Sequence, residues 1–492
     1  MIWLFLAMLV LFFVTGTTIS AMSRKLMRRG FEELVVGGYR VGGFLSAMTY
    51  AATTYSAFMM VGLVGLAYAR GVAALGFELV YLAATVGIVS LVGPTIWARA
   101  RERRWVTPSE MLGDVYGSKA FAAAVSILYL VALVPYLGAQ LKGVGELLNA
   151  VGLGYELGVV FASAVTFLWI AIAGLWSVAT TDAFQGIWML ATSMAALIWA
   201  TAYLAPSAGL DLAKAIDVLT RSQQGNLLGF AWPASMFIGM SVPWIFFALT
   251  NPQVVQRLFI PRDARAFKRM VKYFALYGFV YTLLCVFLGL LFRAYAAVAL
   301  PEQELSLVRA RDSVTPTILL KGPPILAAAT FVGIVAAAIS TADSIVLTVA
   351  SSITRDLYMS YSKSSRENRV ELVTYASIAL MVLIASIVAL HRIAYVVELS
   401  VTSSAILLPL APITLAGICI EPKRRGLPYA ATSLALGLLV AILAVVVLGP
   451  GPALTQPLLG LPMPLWVLAI SSIPVAALAV KEKGRGGNTY GR

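Results

Sequence analysis

Charge is what this sequence has least of. Only 12% of its 492 residues are Asp, Glu, Lys or Arg, against 60% hydrophobic, which is too little polar surface to cover a water-soluble fold of this size. Histidine is nearly absent, His391 being the only one. With no catalytic triad possible beyond that single histidine, and with no H-E-x-x-H run, Walker A loop or polar domain, bond-making chemistry has few carriers. Cysteine is as scarce: Cys285 and Cys419 both fall in apolar segments, which excludes a disulfide framework and a zinc cluster. These absences exclude a soluble globular protein, make an enzyme an unfavoured reading, and leave transport or conduction as the leading class.

Long apolar runs are what the sequence has instead. Thirteen of helix-spanning length can be placed, at about 2–22, 44–68, 73–97, 120–150, 155–175, 179–204, 226–250, 271–298, 324–350, 370–390, 393–419, 428–448 and 462–480. The expected class is an all-α polytopic membrane protein. The first run has neither a basic n-region nor a small-residue cleavage site, so a retained helix is expected. Basic residues gather on alternate connections: Arg24 to Arg40, Arg99 to Arg104, Arg257 to Lys272, Arg355 to Arg369, Lys423 to Arg425 and the tail from Lys481. With Lys119 these hold 27 of the 36 Lys and Arg residues. The positive-inside rule then predicts an external N-terminus and a cytoplasmic C-terminus. The net charge of +14 follows from that rule and from contact with an anionic lipid bilayer, so no nucleic-acid partner is expected.

Polar residues interrupt the apolar runs at particular places. The run Phe331 to Tyr358 carries Ser340, Thr341, Asp343 and Ser344 at its middle, where a bilayer tolerates little polarity. Ala337, Ser340 and Thr341 lie at i, i+3 and i+4, on one helix face. Two hydroxyls and a carbonyl there suit a hard monovalent cation; the plainer alternative is hydroxyls bonding back to their own helix. Small and hydroxylated residues, Thr49 to Ala57, likewise crowd the middle of 44–68, and Pro233, Pro243 and Asn251-Pro252 disturb 226–250. Interruptions at matching places of two halves point to an inverted-repeat transporter with a site at mid-membrane. The expected division is 1–40 (an extra helix and loop), 41–205 (first repeat), 226–419 (second repeat), 428–480 (two extra helices) and a cytoplasmic tail, 481–492.

Four motifs in order give a family resemblance: Gly43-Phe44 through Gly65, G-L-W-S-V-A-T-T-D-A-F-Q (Gly174 to Gln185), N-P-Q-V-V-Q-R (Asn251 to Arg257), and A-I-S-T-A-D-S with T-R-D-L-Y. From about residue 36 to about 425 the chain resembles the sodium/solute symporter family of proline, sugar, pantothenate and monocarboxylate carriers. The resemblance implies the leucine-transporter fold, a five-plus-five inverted repeat, and a coupling Na⁺. Matched position by position, it puts Na⁺ on the carbonyls of Ala52, Tyr55 and Ala337 and on the hydroxyls of Ser340 and Thr341. Thr54 stands where the proline carriers have an aspartate. Substrate contacts are implied at Ser56, Ala57, Tyr136, Trp244 and Phe247, with Glu78 a weaker match; Gln140, polar in an otherwise apolar helix, is a further substrate-binding candidate. Asp182 matches an aspartate on the inner ion path, and could equally cap a helix start beside Thr180 and Thr181. Asp343 is expected to point away from Ser340, towards a basic group or a hydroxyl.

Lys142 and Glu146 sit at i and i+4 in an otherwise apolar helix, which predicts an internal ion pair; a lysine reading a substrate carboxylate is the alternative. The expected function is Na⁺-coupled import of a small organic solute, a monocarboxylate, a pantothenate-like acid or an amino acid, across the plasma membrane by alternating access. The rival reading is an uncoupled channel or a sensor that keeps the fold.

Overall fold

A backbone inside lipid must satisfy its own hydrogen bonds, so apolar runs of this length become helices. The structure, a computed structural model, describes residues 1–28, 30–230, 232–362 and 367–486. Arg366, Arg29 and the tail after residue 486, all counted above among the basic segments, lie outside the described residues.

In chain order the principal helices are α1 (Ile2–Ser23), the bent pair α2 (Gly43–Thr54) and α3 (Phe58–Arg70), α4 (Ala73–Leu91), α5 (Lys119–Ala150), α6 (Tyr155–Leu168), α7 (Gly174–Ser207), α8 (Ala234–Ile245), α9 (Pro252–Arg257), α10 (Ala264–Ala299), α11 (Pro324–Ser352), α12 (Arg369–Leu390), the bent pair α13 (Val396–Leu407) and α14 (Leu410–Ile420), α15 (Lys423–Leu448) and α16 (Met463–Lys483). Among the described residues nine helices are long and apolar enough to cross a membrane, or eleven if each bent pair is one span. Two shorter apolar helices, α6 and α8, stand where the two other expected runs lie. A small hairpin, Pro457–Leu458 on Leu461–Pro462, precedes α16.

Three features position the site. Gly174 takes φ 45 between α6 and α7, a conformation that glycine adopts at least cost, and so divides one long helical stretch in two. Helix α11 lies along α7 and against α2 and α5, which makes it the most enclosed of the long helices; nearly all of its residues are buried. Helix α1 lies on the outside of this group, its Phe5 edge-on to Phe331 at 6.1 Å and its Phe12 stacked on Phe184 at 5.2 Å.

Close approach between α3 and α10 depends on Gly289. A Cβ there would lie 2.4 Å from the Val64 carbonyl oxygen and 2.8 Å from the Ala67 side chain. Overpacking a well-filled contact costs about 1–3 kcal/mol, so Gly289→Ala should lower the melting temperature of the detergent-purified protein. An unchanged melting temperature would mean that the two helices do not approach this closely.

Candidate functional site

The site begins where α2 stops. Tyr55 leaves the helix with φ −91 and ψ 88, and the chain resumes in a wide helical turn, Phe58–Leu63, before α3, with a bend of 49°. In an unbroken helix the carbonyl of Ala52 would take the N–H of Ser56. Here it faces two hydroxyls of α11 instead: Ser340 Oγ at 3.1 Å and Thr341 Oγ1 at 3.0 Å. Ser340 Oγ is also 3.1 Å from the Ala337 carbonyl oxygen, and Thr341 Oγ1 is 3.3 Å from that of Thr53. Both hydroxyls therefore reach across to α2, while Ser340 also bonds back to its own helix at Ala337, so bonding back alone does not describe the pair. Ala52, Ala337, Ser340 and Thr341 are all buried. Their oxygens are neutral and hard, and each hydroxyl hydrogen can rotate away from an incoming ion, a donor set that fits a dehydrated monovalent cation. Among the described residues no group of three His, Cys, Asp or Glu side chains could hold a metal. Tyr55 stands at the turn itself, its ring stacked on Phe274 at 5.7 Å.

One turn further along α11 the packing becomes a polar knot. Thr53 Oγ1 and Ser344 Oγ share a hydrogen bond of 2.8 Å. Ser344 also accepts from Arg257 Nη2 (2.9 Å), while Arg257 Nε donates to Thr49 Oγ1 (3.1 Å). Thr49 in turn donates to Asp182 Oδ2 at 2.6 Å. The arginine and the aspartate are thus joined through a hydroxyl that accepts from one and donates to the other. Gln256 extends the knot, accepting from Thr348 Oγ1 at 2.7 Å and donating to the Val106 carbonyl at 2.9 Å.

Two expectations change here. Asp182 does not cap a helix start: it lies inside α7, and the Thr180 and Thr181 hydroxyls bond back to carbonyls of Trp176, Ser177 and Val178. Arg257, counted above with the cytoplasmic basic residues, is 0% exposed. The N-P-Q-V-V-Q-R run carried that signal, because Asn251 and Pro252 open a short helix that turns Gln256 and Arg257 inward. Asp343 is buried and, among the described residues, its Oδ1 has no hydrogen-bond partner.

On the other side of the break lies a cluster of aromatic rings. The Trp244 ring is 4.6 Å from Phe58, 5.0 Å from Tyr81, 5.5 Å from Phe77 and 5.8 Å from Phe247, and Phe247 is 6.3 Å from Tyr136. Among the described residues several buried polar atoms in and around it lack partners: Trp244 Nε1, Tyr81 Oη, Tyr136 Oη and both carboxylate oxygens of Glu78. Buried polar atoms are rarely left so without a ligand or water to meet them. Ser56, Ala57 and Gln140 sit at its edge and also serve the break. Gln140 Oε1 accepts the Ala57 N–H at 3.2 Å, and Ser56 Oγ accepts the Phe58 N–H at 3.1 Å.

The expected Lys142–Glu146 pair is not formed. Lys142, 5% exposed, reaches away from its own helix to Asp312 Oδ2 at 2.5 Å and to the Ala394 carbonyl at 2.9 Å. Asp312 is 3% exposed; left alone it would be an uncompensated buried charge, so it holds the lysine more strongly than a partly exposed Glu146 can. Asp312 Oδ2 also accepts the Val396 N–H at 3.0 Å, at the start of α13. Removing one partner of such a pair costs about 3–5 kcal/mol, whereas removing both can be nearly neutral. Lys142→Met and Asp312→Asn should each lower yield and melting temperature, and the double variant should recover most of the loss. Equal losses in the singles and the double would show that the pair does not couple.

With this geometry in place, comparison with known proteins is direct. A family model described as the sodium:solute symporter family matches residues 34–418. The sodium/pantothenate symporter of Haemophilus influenzae is 25% identical over 382 residues, 76% of this chain and 76% of that one. Its namesake in Escherichia coli is 27% identical over 375 residues, 75% of each. A substrate-bound, outward-open structure of a Na⁺-coupled sialic acid symporter superposes with a TM-score of 0.75 at 17% identity, covering 96% of this chain and 98% of the other. That likeness is one of fold.

Proposed function

Because the chain belongs to the sodium:solute symporter family, we propose that it carries a small organic acid, of the pantothenate or monocarboxylate kind, or an amino acid, into the cell with Na⁺ by alternating access. It is a membrane carrier of the leucine-transporter fold and not an enzyme, with Na⁺ as the coupling ion. In this reading the bent pairs and the two short apolar helices complete thirteen spans in the plasma membrane. The spans run as a five-plus-five inverted repeat over 41–205 and 226–419, with the N-terminus outside and the C-terminus inside.

The observation that carries the reading is the convergence of the Ala52 and Ala337 carbonyls with the Ser340 and Thr341 hydroxyls across two broken or enclosed helices. Na⁺ held there, with Tyr55 closing the set, would tie α2 to α11. The same end of α2 borders the rings of Trp244, Phe247 and Tyr136, so on this reading ion binding and solute binding order one piece of backbone. Asp182, joined through Thr49 to Arg257, would stand on the inner route that Na⁺ takes on release.

Uptake of radiolabelled pantothenate, pyruvate and proline into proteoliposomes, with and without an inward Na⁺ gradient, tests the proposal; uptake indifferent to the gradient for every solute would overturn coupling. Ser340→Ala and Thr341→Ala each remove one neutral oxygen, at a cost of about 1–3 kcal/mol. Half-saturating Na⁺ should therefore rise about ten- to a hundredfold with little change in solute affinity at saturating Na⁺. Orientation is tested separately: in a variant lacking Cys419, a cysteine replacing the exposed Arg424 should react with an impermeant thiol reagent only from the cytoplasmic side.

A further inference from the structure

The connection between α15 and α16 differs from other long connections in charge. Residues 205–226, after α7, and 299–322, after α10, carry charges of both signs, among them Asp211, Arg221, Glu302 and Lys321. Residues 449–462 carry none, and no charged side chain occurs anywhere between Arg425 and Lys481. The connection nevertheless exposes large apolar side chains: Leu459 is 87% exposed, and Leu458 and Leu461 beside it are exposed too. Leu459 also holds a conformation that does not suit it. With φ 50 at Leu459 and φ 84 at Gly460 these two residues form the tip of the hairpin Pro457–Leu458 on Leu461–Pro462, and asparagine or glycine would take the first position with less strain. Turn geometry does not account for that leucine, so its apolar side chain is what the position serves.

The hairpin meets the conditions that lipid sets for a backbone. Its register pairs Leu458 with Leu461, its outer positions are prolines, which have no N–H to satisfy, and the Leu458 carbonyl accepts from Trp466 Nε1 at 2.7 Å. Tryptophan is the usual anchor at a membrane–water boundary. The leucines follow Val446 and Val447, both exposed on the last turn of the membrane helix α15. Three leucines offer far less than the roughly 800 Å² a side that a stable protein interface buries, which favours lipid over a second protein as what covers them. Beneath the hairpin, the short helix Pro450–Thr455 packs against α8 and α13. Thr402 of α13 donates to the Pro450 carbonyl at 3.1 Å. Gly239 of α8 comes so close that a Cβ there would collide with the Leu454 carbonyl and stand 3.0 Å from the Pro462 side chain.

We propose that the hairpin is a lipid anchor: Leu458, Leu459 and Leu461 enter the acyl region of the leaflet at that end of the molecule, and the anchored segment braces α8 through Gly239. The partner is the bilayer itself. On the orientation read above this is the outer leaflet; the labelling at Arg424 decides the side independently, and the anchor stands or falls on either side. Helix α8 carries Trp244, so the brace ties the leaflet to the helix that supplies the centre of the ring cluster.

The test uses the full chain with Cys285 and Cys419 replaced by alanine, in nanodiscs of palmitoyl-oleoyl phosphatidylethanolamine and phosphatidylglycerol. A nitroxide is attached at Leu459→Cys, and its spin relaxation is measured with oxygen, which partitions into lipid, and with a neutral nickel chelate, which stays in water. Val446→Cys, on the exposed face of α15, and Gln303→Cys, on an exposed and charged connection, give the lipid and water references. The ratio of oxygen to nickel accessibility at 459 should match that at 446 and exceed that at 303 several-fold. A ratio like that at 303 would place the hairpin in water, and low accessibility to both reagents would mean that protein covers it; either result overturns the anchor. Leu458→Ser with Leu461→Ser should then raise nickel accessibility at 459 several-fold, and a label at Ile238→Cys, exposed beside Gly239, should become more mobile in the same variant. No rise at 459 would show that the leucines do not hold the hairpin in lipid, and an unchanged spectrum at 238 would overturn the brace.

Discussion

A backbone polar group without a partner inside a bilayer costs several kcal/mol, and the break after Thr54 creates several at once. The fold meets each with a different element. Helix α11 brings Ser340 and Thr341 to the Ala52 carbonyl, α5 brings Gln140 to the Ala57 N–H, and Ser56 turns back on the Phe58 N–H. The break is therefore where helices from both halves of the chain are bound to one another. Of the polar residues placed at mid-membrane in α11, Ser340, Thr341 and Ser344 each bond across to the end of α2.

Buried charge is arranged in two ways around that break. On the side towards α9, Arg257 reaches Asp182 only through Thr49, and reaches Thr53 only through Ser344. On the other side Lys142 meets Asp312 directly, as Arg311 meets Glu398 and Arg293 meets Glu304. A hydroxyl relay can exchange its partners for water at small cost, because water reproduces both its donor and its acceptor. Parting a direct buried pair leaves two desolvated charges to be met.

The sequence disclosed what is decided locally. Hydroxyls in the middle of an apolar run and prolines inside spans each break a rule of membrane helices, and so Ser340, Thr341 and the end of α2 could be read from the sequence. Partners far apart along the chain could not. Lys142 invited Glu146 because i and i+4 are neighbours on any helix, and nothing in spacing alone points to Asp312. Arg257 was read as one more cytoplasmic charge because composition cannot tell an arginine at a helix end from one turned inward by a proline five residues earlier. Asp182 beside two threonines looked like a cap because that pattern is common at helix starts; the helix in fact begins at Gly174. The family resemblance supplied the Na⁺ set, and the geometry brings four of its five residues within hydrogen-bond distance of one another.

That the four oxygens already bond among themselves bears on how tightly an ion could be held. On the proposed reading, Na⁺ entering between α2 and α11 does not fill an idle space: it replaces the hydrogen bonds of Ser340 and Thr341 to the Ala52 and Ala337 carbonyls. Its net gain is the difference between ion–oxygen contacts and those hydrogen bonds, less the cost of dehydration, and that difference is smaller than either term. A modest gain of this kind suits a coupling ion, which must bind from the richer side of a membrane and leave on the other. Thr54 in place of a carboxylate keeps it modest, since Thr54 is occupied with the Tyr50 carbonyl at 2.8 Å and brings no charge to the site. Binding strength is thereby limited by the same carbonyls whose exposure made the site, and the helix tie lasts only while the ion concentration sustains it.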